Sequence, residues 1–188
     1  PVLKLSAYLC AFPHASDTGN WRVGNTDSSG SALGQSPLRS PSVFNFFRPG
    51  YVPPGTESAV AGLAVPEMQI THETSVAGYV NYMRDNVAQG VGQWNSGPNR
   101  RDIQPDFSAE LALADQPTAL VDRVVARLMP AGAPAALKTE IVGAIDKIVI
   151  PALKSNGSNQ KQVDDAKRAR VNAAIFLAVI SPEFQVQK

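Results

Sequence analysis

Cysteine is almost missing: Cys10 stands alone, which rules out a disulfide framework or a thiolate metal cluster within the chain. Its place in an apolar run reads as a buried structural thiol. Histidine is nearly as scarce, with only His14 and His72, so a metal site would need carboxylates or further chain to complete it, and neither metal nor cofactor is expected. There is no excess of charge either. Seventeen basic and sixteen acidic residues leave +1, no global field draws a polyanion, and nucleic acid is not an expected partner. The one basic cluster, Lys161, Lys167, Arg168 and Arg170, is interrupted by Asp164 and Asp165 and reads as a solvated helix face. No apolar run is long enough to span a membrane. No leader sequence is visible, but the chain starts at Pro1 without an initiator methionine, so that lack excludes nothing. Ser42, Ser75 and Ser108 lack a glycine-flanked nucleophile elbow, and Gly24, Gly30 and Gly34 are too scattered for a phosphate loop.

What is present is apolar surface in helical rhythm. With 44% hydrophobic and 18% charged residues the chain can bury a core and should fold. Val2, Leu5, Tyr8, Leu9 and Phe12 trace one helix, stopped by Pro13. A loop rich in Ser, Gly, Asn and Asp follows over 14–40, with Trp21, Val23 and Leu33 as its anchors. One or two helical turns fall between Glu57 and Leu63. A longer helix from about Ile70 to Ala88 carries Val76, Tyr79, Val80, Met83 and Val87 on one face and ends at Gly90 and Gly92. Residues 89–105 read as another loop. Asp106 caps a short helix, and Asp115 with Pro117 opens a helix striped by Leu120, Val121, Val124, Val125, Leu128 and Met129. The next helix places Leu137, Ile141, Ala144, Ile145 and Ile148 on one side. The last begins near Gln160 and is apolar almost all round from Val171 to Ile180, so it must be central. Phe184 and Val186 pack back after Pro182. The fold class is mainly α: an irregular helical bundle with long ordered loops and little or no sheet. One domain covers 1–188, loop-rich over 13–66 and helical over 67–188.

Residues 35–55 stand apart. Five prolines and two glycines punctuate them, while Phe44, Phe46, Phe47 and Tyr51 crowd rings together. Such a stiff, ring-bearing strap is expected to lie across other elements and pin them, with Phe44, Phe46, Phe47 and Pro49 as structural residues. Ser40 and Pro41 read as the N-cap and first position of a short helix through Phe47, closed by Pro49 and Gly50.

The string Phe44-Asn-Phe-Phe-Arg-Pro-Gly-Tyr51, the stretch Val65-Pro-Glu-Met-Gln-Ile-Thr-His-Glu-Thr-Ser-Val-Ala-Gly-Tyr79 and the Ser181-Pro-Glu-Phe184 ending resemble the bacterial DUF1800 family of unknown function. The resemblance implies that the chain is the C-terminal portion of a longer, exported protein, periplasmic or extracellular. The abrupt helical start agrees with a cut fragment. It implies no reaction, because it brings no catalytic residues to carry over.

Two functions are therefore weighed. In the first, the chain has a structural or interaction role and packs against the N-terminal part of the same protein, retained as a separate chain if cleaved. In the second, it is part of a hydrolase for an envelope or extracellular polymer, with catalytic residues shared with that other part. His72 and Glu73 are the candidate catalytic pair, but position 76 is valine where a zinc helix needs its second histidine. The competing reading makes His72 a hydrogen-bonded histidine at the core rim and Glu73 a partner of the helix dipole. Arg48, Tyr51 and Trp94, with the same His72 and Glu73, could line a groove for a glycan-like polymer. The plainer alternative has Arg39 and Arg48 stacking on the strap's rings or pairing with Glu67 or Glu73.

Overall fold

The computed structural model describes residues 1–185; the packing expected of Val186 lies outside them. Its elements are α1 (Val2–Ala11), β1 (His14–Ser16), α2 (Glu57–Val60), a 3-10 turn (Pro66–Ile70), α3 (Glu73–Gln89), β2 (Val91–Asn95), β3 (Arg100–Pro105), α4 (Ser108–Leu111), α5 (Pro117–Leu128), α6 (Ala135–Asp146), α7 (Gln160–Ile180) and α8 (Pro182–Gln185). The described residues are mainly α, with one small three-stranded sheet ordered β1-β3-β2. No described helix is long and apolar enough to cross a membrane. The chain forms two compact units, one of Pro1–Leu3 with Gly24–Arg84, the other of Lys4–Val23 with Asp85 onward.

In the second unit the helical periodicity works as expected. Leu120, Val121, Val124, Val125 and Leu128 of α5 are all buried, as are Ile141 and Ile145 of α6. The apolar half of α7 buries Val171, Ala174, Ile175, Ala178 and Val179 completely, and this helix packs against α4, α5, α6 and α8. A helix apolar on every side has no face to give to water, so it takes the centre. Arg170 corrects the expected solvated face. It is enclosed, at 7% exposure, and its guanidinium donates to the carbonyls of Ala114, at 2.9 Å, and Ile148. Ile148 lies just past the C-terminus of α6, where a cation is favoured.

Aromatic packing seats α1. Tyr8, wholly buried, meets Phe12 at 6.0 Å and the His14 ring edge-on at 5.6 Å. Phe12 in turn meets Phe107 edge-on at 5.3 Å. Cys10 falls on the opposite side of the helix and is exposed, not a buried thiol. The supposed loop 89–105 is an antiparallel hairpin, β2–β3, with β1 added along β3. Its alternation is hidden by a bulge between Val91 and Trp94. Gly92 sits there at φ +89°, and a Cβ on it would stand 2.8 Å from the Arg22 carbonyl, so the bulge needs glycine.

The first unit is built on loops. Thr26, buried at 3%, donates through Oγ1 to the Gln35 carbonyl at 2.6 Å, and its own carbonyl accepts from Leu33 at 3.0 Å and Gln35 at 3.2 Å. These bonds close residues 26–36 into a compact loop with Leu33 inside. Gly78 of α3 lets that loop come down on the helix, since a Cβ there would meet the Ser29 carbonyl at 2.1 Å. Along α3, Tyr79, Met83 and Val87 are buried, whereas Val76 is 51% exposed.

The strap reverses its expected role. Residues 41–47 form turns and no helix. Asn45 takes φ +66°, and the Ser42 hydroxyl accepts from the Phe44 amide at 3.1 Å, a local bond that competes with helix formation. Phe44 is 63% exposed, Val43 95% and Leu38 105%, while Phe46 and Phe47 are half-buried and Pro49 is exposed. The strap therefore does not clamp other elements beneath Phe44. Trp21, expected to anchor its loop, is also exposed, at 62%.

Candidate functional site

His72 is placed by a hydrogen-bond exchange at the start of α3. Its backbone N–H donates to Ser75 Oγ at 2.9 Å, while its Nδ1 accepts from the Ser75 N–H at 3.3 Å. Its carbonyl accepts from Val76 N at 3.0 Å and from Ser75 Oγ at 2.9 Å. This is a capping box in which imidazole takes the part usually played by a hydroxyl, and it satisfies donors that the first helical turn leaves open. Glu73 follows at the first helical position, where a carboxylate suits the dipole. Both side chains are exposed, and the geometry gives them a capping task.

Arg48 and Tyr51 belong to the same unit. The Arg48 amide donates to Gln69 Oε1 at 2.7 Å; the Tyr51 amide donates to the Arg48 carbonyl at 3.1 Å, and the Tyr51 carbonyl accepts from Val65 at 2.8 Å. Arg39 pairs with Asp27 at 2.8 Å, not with Glu67 or Glu73. That guanidinium holds the Asp27 carboxyl below its usual value.

Trp94 belongs to the other unit and there borders an open cleft of about 210 Å³. One wall is the segment carrying Thr18, Asn20 and Arg22; the other is β2 and its turn, with Gln93, Trp94 and Asn95. Asp102 of β3 joins them. It is buried, at 5% exposure, and its carboxylate accepts from Ser16 Oγ at 2.7 Å, Thr18 N at 3.0 Å and Thr18 Oγ1 at 3.1 Å. The Asp102 carbonyl accepts from Asp17 N at 3.0 Å. Arg100 then forks onto Asp17, with Nε and Nη2 donating at 2.9 and 2.7 Å. Arg100 lowers the Asp17 carboxyl below its ordinary range, and Asp17 raises Arg100 in return.

Sequence reasoning left Asp102 inside the supposed loop 89–105 and gave no role to Ser16 or Thr18. Ser16 and Asp102 stand 86 positions apart, so only the β1–β3 pairing brings them together. Among the described residues no three His, Cys, Asp or Glu side chains group as metal ligands.

A family profile, described as "Protein of unknown function (DUF1800)", matches residues 10–186. The chain belongs to the DUF1800 family. No curated protein and no solved structure matches this DUF1800 chain. The strings around Phe44–Tyr51 and Val65–Tyr79 now have local explanations. The second contains the His72–Ser75 cap and the Gly78 close approach; the first supplies the exposed strap.

Proposed function

We propose that this DUF1800 chain is a structural and interaction module of an exported bacterial protein, and that its strap is covered by another part of the same polypeptide. The observation that carries the reading is the apolar surface of the first unit. Leu38, Val43 and Phe44 lie open within one segment, and Val60, Leu63 and Met68 of the same unit are exposed at 92, 57 and 48%. Single exposed apolar residues are ordinary, but a run of them with an aromatic ring marks an association surface. A periplasmic or extracellular location, and a covering N-terminal part, belong to the same proposal and are suggested by the family resemblance.

Size-exclusion chromatography with mass spectrometry tests the reading. The 188-residue chain should self-associate or retain a further fragment of its own gene product, and Leu38→Ser with Phe44→Ser should abolish that. A monodisperse monomer of 20.0 kDa with no retained fragment counts against it. The hydrolase reading stands second, because the chemistry it asks of His72 and Glu73 competes with their place in a helix cap. Polymer hydrolysis lost in His72→Asn, a variant that can still cap, would reverse the order.

A further inference from the structure

We infer that the cleft beside Trp94 is a binding subsite for one ring of a neutral carbohydrate. Trp94 presents an indole at 55% exposure from β2, an edge strand of the sheet, just past the bulge at Gly92. Arg101, its partner across the ladder, closes that bulge by donating from Nη1 to the Gly92 carbonyl at 2.8 Å. The facing wall is equally fixed. Asp102 pins Thr18 by backbone and hydroxyl, and Thr18 Oγ1 accepts from Asn20 N at 3.3 Å and Asn20 Nδ2 at 3.1 Å. Such a frame is assembled before any ligand arrives, which lowers the ordering cost of binding.

The hydrogen-bonding groups left over around the indole define the ligand. Asn20 spends its Nδ2 on Thr18 and keeps Oδ1. Asn95 spends Oδ1 on the Gly97 amide at 3.2 Å and keeps Nδ2. Among the described residues, the Gln93 amide, the Trp94 indole N–H and the Arg22 guanidinium make no hydrogen bond. A hydroxyl both donates and accepts, so a ring edged with hydroxyls matches this mixture of amide donors and acceptors. Its C–H face, slightly positive, lies well on the electron-rich face of an indole. An anion is a poorer match, since among the described residues Arg22 is the one cation lining the cleft and the Asp102 carboxylate beside it already accepts three hydrogen bonds. The cleft falls below the roughly 300–1,000 Å³ of sites for drug-sized ligands, so it takes one sugar ring, with the rest of the chain running into solvent.

The chain has two tryptophans, so Trp21→Phe leaves Trp94 as the sole indole reporter. In that background, fluorescence titration with neutral cello-, xylo-, malto- and chito-oligosaccharides should give a saturable change with at least one series, little affected by salt. Calorimetry should then show affinity falling at least about tenfold in Trp94→Ala, as for truncation of a central aromatic anchor. It should also fall in Asn20→Ala with Gln93→Ala, which leaves the indole in place. The proposal is overturned by no saturable response to any of the series, by affinity unchanged in Trp94→Ala, or by adenosine binding more tightly than every sugar. Circular dichroism of each variant verifies that the fold is retained.

Discussion

Replacing Arg123 by methionine isolates the electrostatics of the helical bundle. Glu110, in α4, is 1% exposed, and its Oε1 accepts from Arg123 Nε of α5 at 2.6 Å. Methionine keeps most of the alkyl packing and removes the charge, so the carboxylate stays buried without its cation. Breaking a fully enclosed pair costs about 3–5 kcal/mol. The Arg123 side chain retains 34% exposure, so water already screens part of the interaction, and we expect about 2–4 kcal/mol. For a chain of this length that corresponds to a fall in Tm of roughly 5–12 °C. The double variant Glu110→Met/Arg123→Met removes the stranded charge together with its partner and should recover at least half of the loss. Equilibrium urea unfolding followed by far-ultraviolet circular dichroism measures both, read as midpoint shifts at constant m. An Arg123→Met protein within about 0.5 kcal/mol of its parent, well under the loss for a buried pair, would refute the reasoning. So would a double variant less stable than Arg123→Met alone.

Tyr8→Phe should leave stability unchanged or raise it by up to about 1 kcal/mol, because the Tyr8 hydroxyl is buried without a partner among the described residues; a loss in thermal melts would show that the hydroxyl is satisfied. Burial also pushes the Tyr8 pKa upward, so spectrophotometric titration should show this phenol ionising only as the protein unfolds in alkali. Gly78→Ala would normally favour a helix, yet the Cβ has only 2.1 Å to the Ser29 carbonyl, so a net loss of about 1–3 kcal/mol is expected; a melt showing stabilisation would mean that the 26–36 loop is free to move. His14 donates from Nδ1 to the Phe12 carbonyl at 2.8 Å. Burial lowers its pKa below 6.5, against the opposing pull of the Phe12 and Leu9 carbonyls. As pH falls through 6.5 the unfolded chain takes up a proton that the folded one refuses, so stability declines with falling pH until the folded value is reached. Melts from pH 7.5 to 5 should show that decline in the parent and a smaller one in His14→Gln, whereas equal slopes would refute the assignment.

How much could be read in advance depends on whether a residue's partner was local. The α5 stripe from Leu120 to Leu128 was fully legible, because helical spacing alone decides which side faces inward. So was the central place of α7. The hairpin was not, since the Gly92 bulge breaks the two-residue period that would have revealed it. His72 was half legible: a hydrogen-bonded role was expected at the core rim, while the actual partner, Ser75, sits three positions away in a capping box with an unfamiliar first residue. The strap misled most. Rings and prolines suggest burial, but Asn45 in a left-handed conformation and the Ser42 bond to Phe44 accompany a segment that faces outward. The Asp102 frame around the Trp94 cleft rests on strand pairing across 86 positions, which no local pattern announces.

That long pairing constrains the order of synthesis. A ribosome adding roughly 5–20 residues per second delivers the 86 positions between Ser16 and Asp102 in about 4–17 s. For that interval β1 has emerged with no edge to join, and the inserted segment 24–84 must be made before the two halves of its host can meet. The first unit can begin to organise as it leaves the exit tunnel. The second has its larger part after residue 84 and must wait, so the sheet that frames Trp94 is necessarily a late event in the life of each new chain.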